Sequence, residues 1–466
     1  MSLAYLKTVA FFTSLALTLS LAACESFLDV QPRESVADNQ TITDQKSAAT
    51  ALNGVYSALA SGGYYGTSFQ SIGYLGGDNI QWTGTQSQVQ EFINHNVRAD
   101  NSTISTVWSS IYVTINRANY VISKVPGVTD ALLTEALRNQ YVGEAYFLRA
   151  LAYFDLARTF GGVPLVTEPT LTATSNQGLP RASQTETYAQ VLRDLEEAEL
   201  LLPNPSTVTT NDRYRATRKT VWALKARLYL YQGNWALAED YATRLISDNT
   251  NYQLVTPFNA WFANSTRGTR ESVFELFYNG TTEVNGHRGQ WQPTANGGTR
   301  QWAPNEALVS LLTTAPNNAA NGRTTLIAAV NGSSWYGNLY YRSPGSDPSY
   351  IFRIAELYLI RAEARAQQGK LPAALTDLNA VRVRAGLAAS SAATQAAVLL
   401  AIENERRLEF ALEPHRWFDL ARTSRATALF KDPLNNTAPL PASRLVLPIP
   451  ISQLQVDRAL IQNEGY

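Results

Sequence analysis

The chain has 466 residues, and its 38 Lys and Arg are balanced by 38 Asp and Glu, which excludes the electrostatic footprint of a nucleic-acid or anionic-bilayer binder. With 16% charged and 45% hydrophobic residues the composition is globular rather than disordered, and the length allows one sizeable domain or two intimately packed ones. A single cysteine forbids any intramolecular disulfide, so stability must come from packing.

The first predicted element is a secretory signal over residues 1–23. Lys7 supplies a basic start, residues 9–21 are apolar and uncharged, and Leu21-Ala22-Ala23-Cys24 has the form of a bacterial lipobox. Cleavage before Cys24 leaves residues 24–466, with a diacylglycerol of palmitate type on the thiol. The apolar run is short for a transmembrane helix. Two or three acyl chains hold a protein on a membrane almost permanently.

The rest of the chain reads as mainly α. Residues 44–59 form a predicted helix with Asp44 as N-cap, followed by helices over 103–125, 133–159 and 185–202, the last stopped by Pro203. Leu224, Leu228, Leu230 and Tyr231 predict a helix ending at Gly233, with a second helix over Trp235–Ile246. Residues 354–382 repeat that design: Ala362 matches Ala226, Gly369 matches Gly233, Leu371 matches Trp235, Ala374 matches Ala238 and Val381 matches Leu245. Small residues that let helices approach, joined by a Gly turn, follow tetratricopeptide logic. About four such pairs are expected. Between them lie two long stretches rich in Gly, Asn, Thr and Ser, 62–85 and 252–350, of a length usually reserved for function. A short strand is expected over 272–278, and two prolines make 444–450 extended.

The chemistry-bearing residues fall into two groups. Glu405, Arg406, Arg407, Glu409, Glu413, Arg416, Asp419 and Arg422 form a charged cluster in which Glu409 and Glu413 have the spacing of one helix face. The arginines lower the pKa of neighbouring carboxylates, the opposite of what a general acid needs, so the cluster reads as an ion-pair network joining helices. His95, His287 and His415 are not paired at metal-ligand spacing, and no HExxH, EF-hand, G-x-S-x-G, P-loop or CxxC motif occurs. No catalytic residue, metal or cofactor is therefore assigned.

The second group is aromatic. Tyr74, Trp82, Trp291, Trp302, Trp335 and Tyr336 stand among amides and hydroxyls in the long stretches, with Asp78 and Asn79 just before Trp82 and Arg300 beside Trp302. Flat rings cover the apolar face of a sugar while amides, carboxylates and Arg meet its hydroxyls, so these residues form the candidate ligand set. The alternative is that the rings pack the loops onto the scaffold. Trp108, Trp222, Trp235 and Trp417 lie in helical segments and are assigned to the core.

Several blocks in fixed order resemble the SusD/RagB family of Bacteroidota outer-membrane lipoproteins. After the lipid cysteine come Phe27-Leu28-Asp29 and Pro32. Glu144-Ala145-Tyr146-Phe147-Leu148-Arg149-Ala150 then leads to Phe160-Gly161-Gly162-Val163-Pro164-Leu165. Further along stand Glu356 to Ala364, Asn379 to Leu387, Glu405-Arg406-Arg407-Leu408-Glu409-Phe410 and Arg416-Trp417-Phe418-Asp419-Leu420, and the chain closes on Leu447-Pro448-Ile449-Pro450 and Gln462 to Tyr466. Pro414-His415 replaces the family's Gly and Glu464 its usual Pro, both expected to be local loop changes. The resemblance implies a tetratricopeptide-like helical scaffold with loop-rich ligand-binding insertions. It also implies a nutrient-binding lipoprotein facing the cell exterior that delivers glycans to a SusC-like TonB-dependent transporter, and a ligand role for the loop of Asp78 and Asn79. Two other readings stay open: the same import role with peptide ligands, and a tetratricopeptide-type scaffold that binds only protein. The second would put its aromatics on concave helix faces rather than in loops.

Overall fold

The structure, a computed structural model, describes residues 42–172 and 174–466; the expected signal peptide and Cys24 lie outside the described residues. Asp44 accepts a bond from the Ser47 amide at 2.7 Å while the Ser47 hydroxyl accepts from the Asp44 amide, a capping box that opens α1 (Gln45–Leu59). Within the first expected loop stand α2 (Ser68–Leu75) and β1 (Ile80–Trp82), and α3 (Ser87–Ile93) follows it. α2 is buried on nearly every side, its polar Gln70 and Ser71 included. α4 (Ser102–Lys124) is capped by Asn101, and α5 (Glu135–Phe160) runs through the core with almost all of residues 141–160 buried. α6 (Gln184–Leu201) starts one residue before the expected Thr185, because Ser183 and Glu186 close a capping box.

α7 (Arg218–Tyr231) and α8 (Trp235–Ile246) are joined through Gly233 at φ +69°, a left-handed value that favours glycine. The second expected loop is only partly loop. It carries β2 (Ser272–Leu276), α9 (His287–Trp291), β3 (Trp302–Pro304), α10 (Glu306–Thr313), β4 (Ile327–Val330), β5 (Ser334–Gly337) and the first two residues of β6 (Ser349–Arg353). There follow α11 (Ile354–Gln367), α12 (Leu371–Arg384), α13 (Gln395–Glu409), α14 (Arg416–Arg422), α15 (Arg425–Leu429), β7 (Lys431–Asp432), β8 (Asn435–Pro439) and α16 (Ile451–Val456). The strands pair antiparallel as β1–β3, β2–β6, β4–β5 and β7–β8. The expected extended segment over 444–450 begins instead with a 3-10 turn at Ala442–Leu445.

Helix pairs α1/α4, α5/α6, α7/α8 and α11/α12 carry the mainly-α, tetratricopeptide-like architecture of residues 44–466. The repeat alanines do what their size allows. Ala362 and Ala374 are fully buried in a core with Leu359, Leu378, Val381, Val398 and Ile402. α8 is tied to α11 and its following turn by Glu239, which takes Arg365 at 2.9 Å and Lys370 at 2.7 Å.

The charged cluster forms the ion-pair network. Buried Arg353 reaches Glu413 at 2.5 Å, Glu271 at 2.9 Å and Glu409 at 3.1 Å, with its guanidinium 4.1 Å from the Trp261 ring centre. Arg323 binds Glu405 at 2.5 Å and Glu409 at 2.7 Å, and Arg384 binds Glu271 at 2.8 Å and also Glu409. Glu409 and Glu413 do not share a helix, because α13 ends at Glu409; they meet through Arg353. Pro414 is not a loose substitution either. It is buried against Gly73, where a Cβ would sit 2.5 Å from the Pro414 Cα, and His415 stacks on Phe410 at 4.4 Å.

Candidate ligand-binding cleft

The candidate residues fall into three environments. Trp291 has no exposed surface, and Trp302 and Tyr74 are 4% and 1% exposed. With fully buried His287 they form one aromatic cluster. Tyr74 lies 5.4 Å from both indoles, the indoles meet edge to face at 5.6 Å, and His287 is 5.8 Å from Trp302. Burial depresses the His287 imidazole to about 3, so it stays neutral. Strand β5 lies directly over Trp291, since a Cβ on Gly337 would fall 2.5 Å from the indole. Trp291 and Trp302 are therefore corrected from ligand wall to the core beneath it: rings with no free face cannot stack on a sugar.

Asp78 and Asn79 are also bound within the protein. The Asp78 carboxylate takes Arg416 at 2.6 Å and Arg407 at 3.2 Å. Burial would raise its pKa, but Arg416 and Arg407 outweigh that and hold it below the ordinary value. Asn79 is 1% exposed, accepts from Arg407 Nε at 2.8 Å and donates to the Arg407 carbonyl at 3.2 Å. The Asn79 carbonyl accepts from the Asn305 amide, and Asn305 caps α10. These contacts pin the loop to α13 and α14. They correct buried Asn79 from a ligand contact to a residue that positions β1, while the Asp78 carboxylate keeps part of its surface exposed as it holds Arg416 and Arg407.

What they position is Trp82. It pairs with Trp302 at the end of the β1–β3 ladder, and its half-buried ring passes over Gly84, where a Cβ would clash at 2.2 Å. Its indole N–H is buried without a partner among the described residues. Trp82 forms one wall of an open cleft of about 760 Å³, within the usual range of about 300–1,000 Å³ for ligand pockets. Gln86, Gln90, Asn94 and Asn96 line it from α3 and its C-terminal turn, and Asp432 and Asn436 from the β7–β8 hairpin. His95 forms part of the floor, held by the Gly76 carbonyl at 3.0 Å and stacked 4.0 Å from Phe430. Burial lowers its pKa, so the charged groups of the lining are Glu91, Lys431 and Asp432.

Arg300, Trp335 and Tyr336 lie outside the cleft lining but adjoin it. The Thr83 hydroxyl donates to the Arg300 carbonyl at 2.5 Å, and Arg300 Nε donates to the Trp335 carbonyl at 2.8 Å. Trp335 and Tyr336 stand on β5, half-buried. The amides of α3 and the hairpin residues were missed by sequence reasoning. The run Gln86-Ser87-Gln88-Val89-Gln90 beside Trp82 was a readable signal; the hairpin, brought from the far end of the chain, offered none.

Chemically the cleft offers one indole, a ring of amides and few charges, a surface matched to a neutral, polyhydroxylated molecule. Two family models cover most of the chain: one described as starch-binding associating with outer membrane matches residues 26–230, and one described as SusD family matches residues 264–466. SusD-like protein P38 of Formosa agariphila is 29% identical, across 96% of this chain and 96% of that protein. The starch-binding protein SusD of Bacteroides thetaiotaomicron is 24% identical, across 87% and 86%. Among solved structures, a laminarin-binding SusD-like protein superposes with TM-score 0.78 at 25% identity, covering 91% of this chain and 100% of that one. Surface glycan-binding protein A of Bacteroides thetaiotaomicron, solved with laminarihexaose, shares the fold at TM-score 0.74 and 21% identity, covering 90% and 100%. With the helix pairs, the ion-pair network and these matches spanning nearly its whole length, the chain belongs to the SusD/RagB family.

Proposed function

We propose that this protein is a lipid-anchored outer-membrane lipoprotein, 24–466 after signal cleavage, that binds a glycan and passes it to a SusC-like TonB-dependent transporter. The observation that carries the reading is the Trp82 cleft, where a partly exposed indole faces the amides of Gln86, Gln90, Asn94, Asn96 and Asn436. Arg300, Trp335 and Tyr336 extend the ligand surface beside it. Relatives described as starch- and laminarin-binding support a carbohydrate over a peptide, and the protein acts as a binder, not an enzyme.

Calorimetry of the mature protein against a panel of neutral oligosaccharides tests this. Aromatic stacking contributes roughly 0.5–1.5 kcal/mol per ring pair, so Trp82→Ala weakens binding by about tenfold at most. Raising the salt concentration leaves the affinity nearly unchanged because the ligand is uncharged. A fully folded Trp82→Ala protein with wild-type affinity for a confirmed glycan would remove the indole from the site.

The anchor has its own test. Cys24→Ala leaves the fold intact and moves the protein from membranes to the soluble fraction after detergent-free, high-salt extraction of cells lacking the transporter. Retention of Cys24→Ala in membranes under those conditions would overturn the lipobox reading.

A further inference from the structure

α4 borders a second cleft that the Trp82 reading does not use. It measures about 440 Å³ and lies between α4, the loop after α5 and the C-terminal α16. Trp108 and Tyr112 supply its aromatic surface, their ring centres 5.1 Å apart, and Phe160 braces Trp108 edge-on at 5.1 Å. Trp108 is 96% buried by the protein, being 4% exposed, yet its indole N–H has no partner among the described residues. Around it stand the Ser109 hydroxyl and the Gln177 and Gln453 side-chain amides, likewise unpartnered among the described residues. Asn116 accepts from the Thr170 amide at 2.8 Å, and its own N–H groups have no partner among the described residues. The one carboxylate in the lining, Asp457, is engaged by the Gly178 amide at 2.8 Å and the Ala459 amide at 2.9 Å. The cleft therefore combines flat apolar surface, unengaged amide and hydroxyl groups, and no free charge.

We propose that this is a second carbohydrate site, for a neutral oligosaccharide, independent of the Trp82 cleft. A charged ligand finds no counter-ion in it. A purely apolar ligand would bury the Ser109, Gln177 and Gln453 groups without replacing their water, which is unfavourable. A polyhydroxylated ring satisfies both demands at once, covering the aromatic surface with one face and exchanging bonds with the amides at its edge. The place of the site on the helix gives it a use. Ser102, Ser109, Tyr112 and Asn116 recur at i, i+7, i+10 and i+14, one stripe of α4. Ser102 bonds Gln88 at 2.5 Å on α3, whose Ser87 and Gln90 line the first cleft. About 15 Å of helix, at roughly 1.5 Å per residue, separates Ser102 from Tyr112. A glycan too long for the first cleft meets a second contact along the same helix, which raises retention through effective concentration without a deeper pocket.

The test counts bound sugars. Laminarihexaose, maltohexaose and xylohexaose are titrated into wild type, Trp82→Ala and Ser109→Arg and read by native mass spectrometry and calorimetry, each sugar up to its solubility limit. Ser109 is exposed on α4, so the arginine fills the cleft without entering the core. Gln453→Arg on α16 serves as the second blocking variant where circular dichroism shows Ser109→Arg to be misfolded. With at least one probe, wild type takes up two equivalents, Ser109→Arg loses one with the other unchanged, and Trp82→Ala keeps the equivalent that Ser109→Arg removes. A single equivalent abolished by Trp82→Ala and untouched by the blocking variants overturns this second site and leaves the first intact. No uptake of any probe by any of the proteins overturns both. A face that captures the transporter through these residues while taking up no sugar overturns the proposal in favour of protein docking.

Discussion

Replacing Arg353 with Met lowers the stability of the folded chain by about 3–5 kcal/mol, the usual cost of removing one partner from a buried ion-pair network. The arginine is 2% exposed and answers Glu413, Glu271 and Glu409 together, so methionine leaves Glu413 without its cation and weakens the hold on the other two. Arg323 and Arg384 still face Glu409, which keeps the loss from being larger. Burial on its own would raise the Glu409 carboxyl, but the charges of Arg384, Arg323 and Arg353 outweigh it and hold the group at about 2. Because that folded value lies below the ordinary 4.5, this contribution is complete above about pH 4.5 and is lost as the pH falls towards 2. In Arg353→Met the acid transition moves to higher pH, since one of the three cations is gone. Urea denaturation at pH 7 and acid unfolding followed by circular dichroism check both. A wild-type urea midpoint in Arg353→Met would mean that the network does not hold β6 to the segment after α13.

Trp291→Ala is the second large effect, and it separates core from ligand wall. Deleting a fully buried indole costs about 3–5 kcal/mol through lost transfer energy and the cavity left behind. The Trp291 N–H is buried without a partner among the described residues, so its removal also relieves an unsatisfied donor, which places the loss near the lower end. The urea midpoint falls, while the affinity of the folded protein for a glycan changes little. Lost affinity at unchanged stability would return Trp291 to the ligand surface.

The contrast between Trp82 and Trp291 shows where sequence reading succeeds. The helix pairs were legible because Gly233 and Gly369, both in the left-handed region, and the buried alanines Ala238, Ala362 and Ala374 leave a repeat that survives without homologues. The carboxylates of the ion-pair network were legible as well, but the arginines that answer Glu409 and Glu413, namely Arg323, Arg353 and Arg384, stand outside the expected cluster. The fate of the loop aromatics was not. Trp82, Trp291 and Trp302 have the same kinds of neighbours in sequence, and only the β1–β3 pairing and the strand lying over Trp291 decide which ring keeps a free face. Asn79 misled for a related reason: its partner Arg407 lies 328 residues away. Of the short strands in 252–350, β2 was expected over 272–278, while β3, β4 and β5 escaped because three or four residues carry too little alternation to stand out from Gly, Asn and Thr.

The most direct measurement is a crystal structure of the mature protein with an oligosaccharide that calorimetry has shown to bind. A sugar ring lying against the Trp82 indole, with hydroxyls bonded to amides of α3 and to the hairpin at Asp432 and Asn436, is the expected result. A bound sugar that leaves this cleft empty and lies on a helix face remote from Trp82 would contradict it.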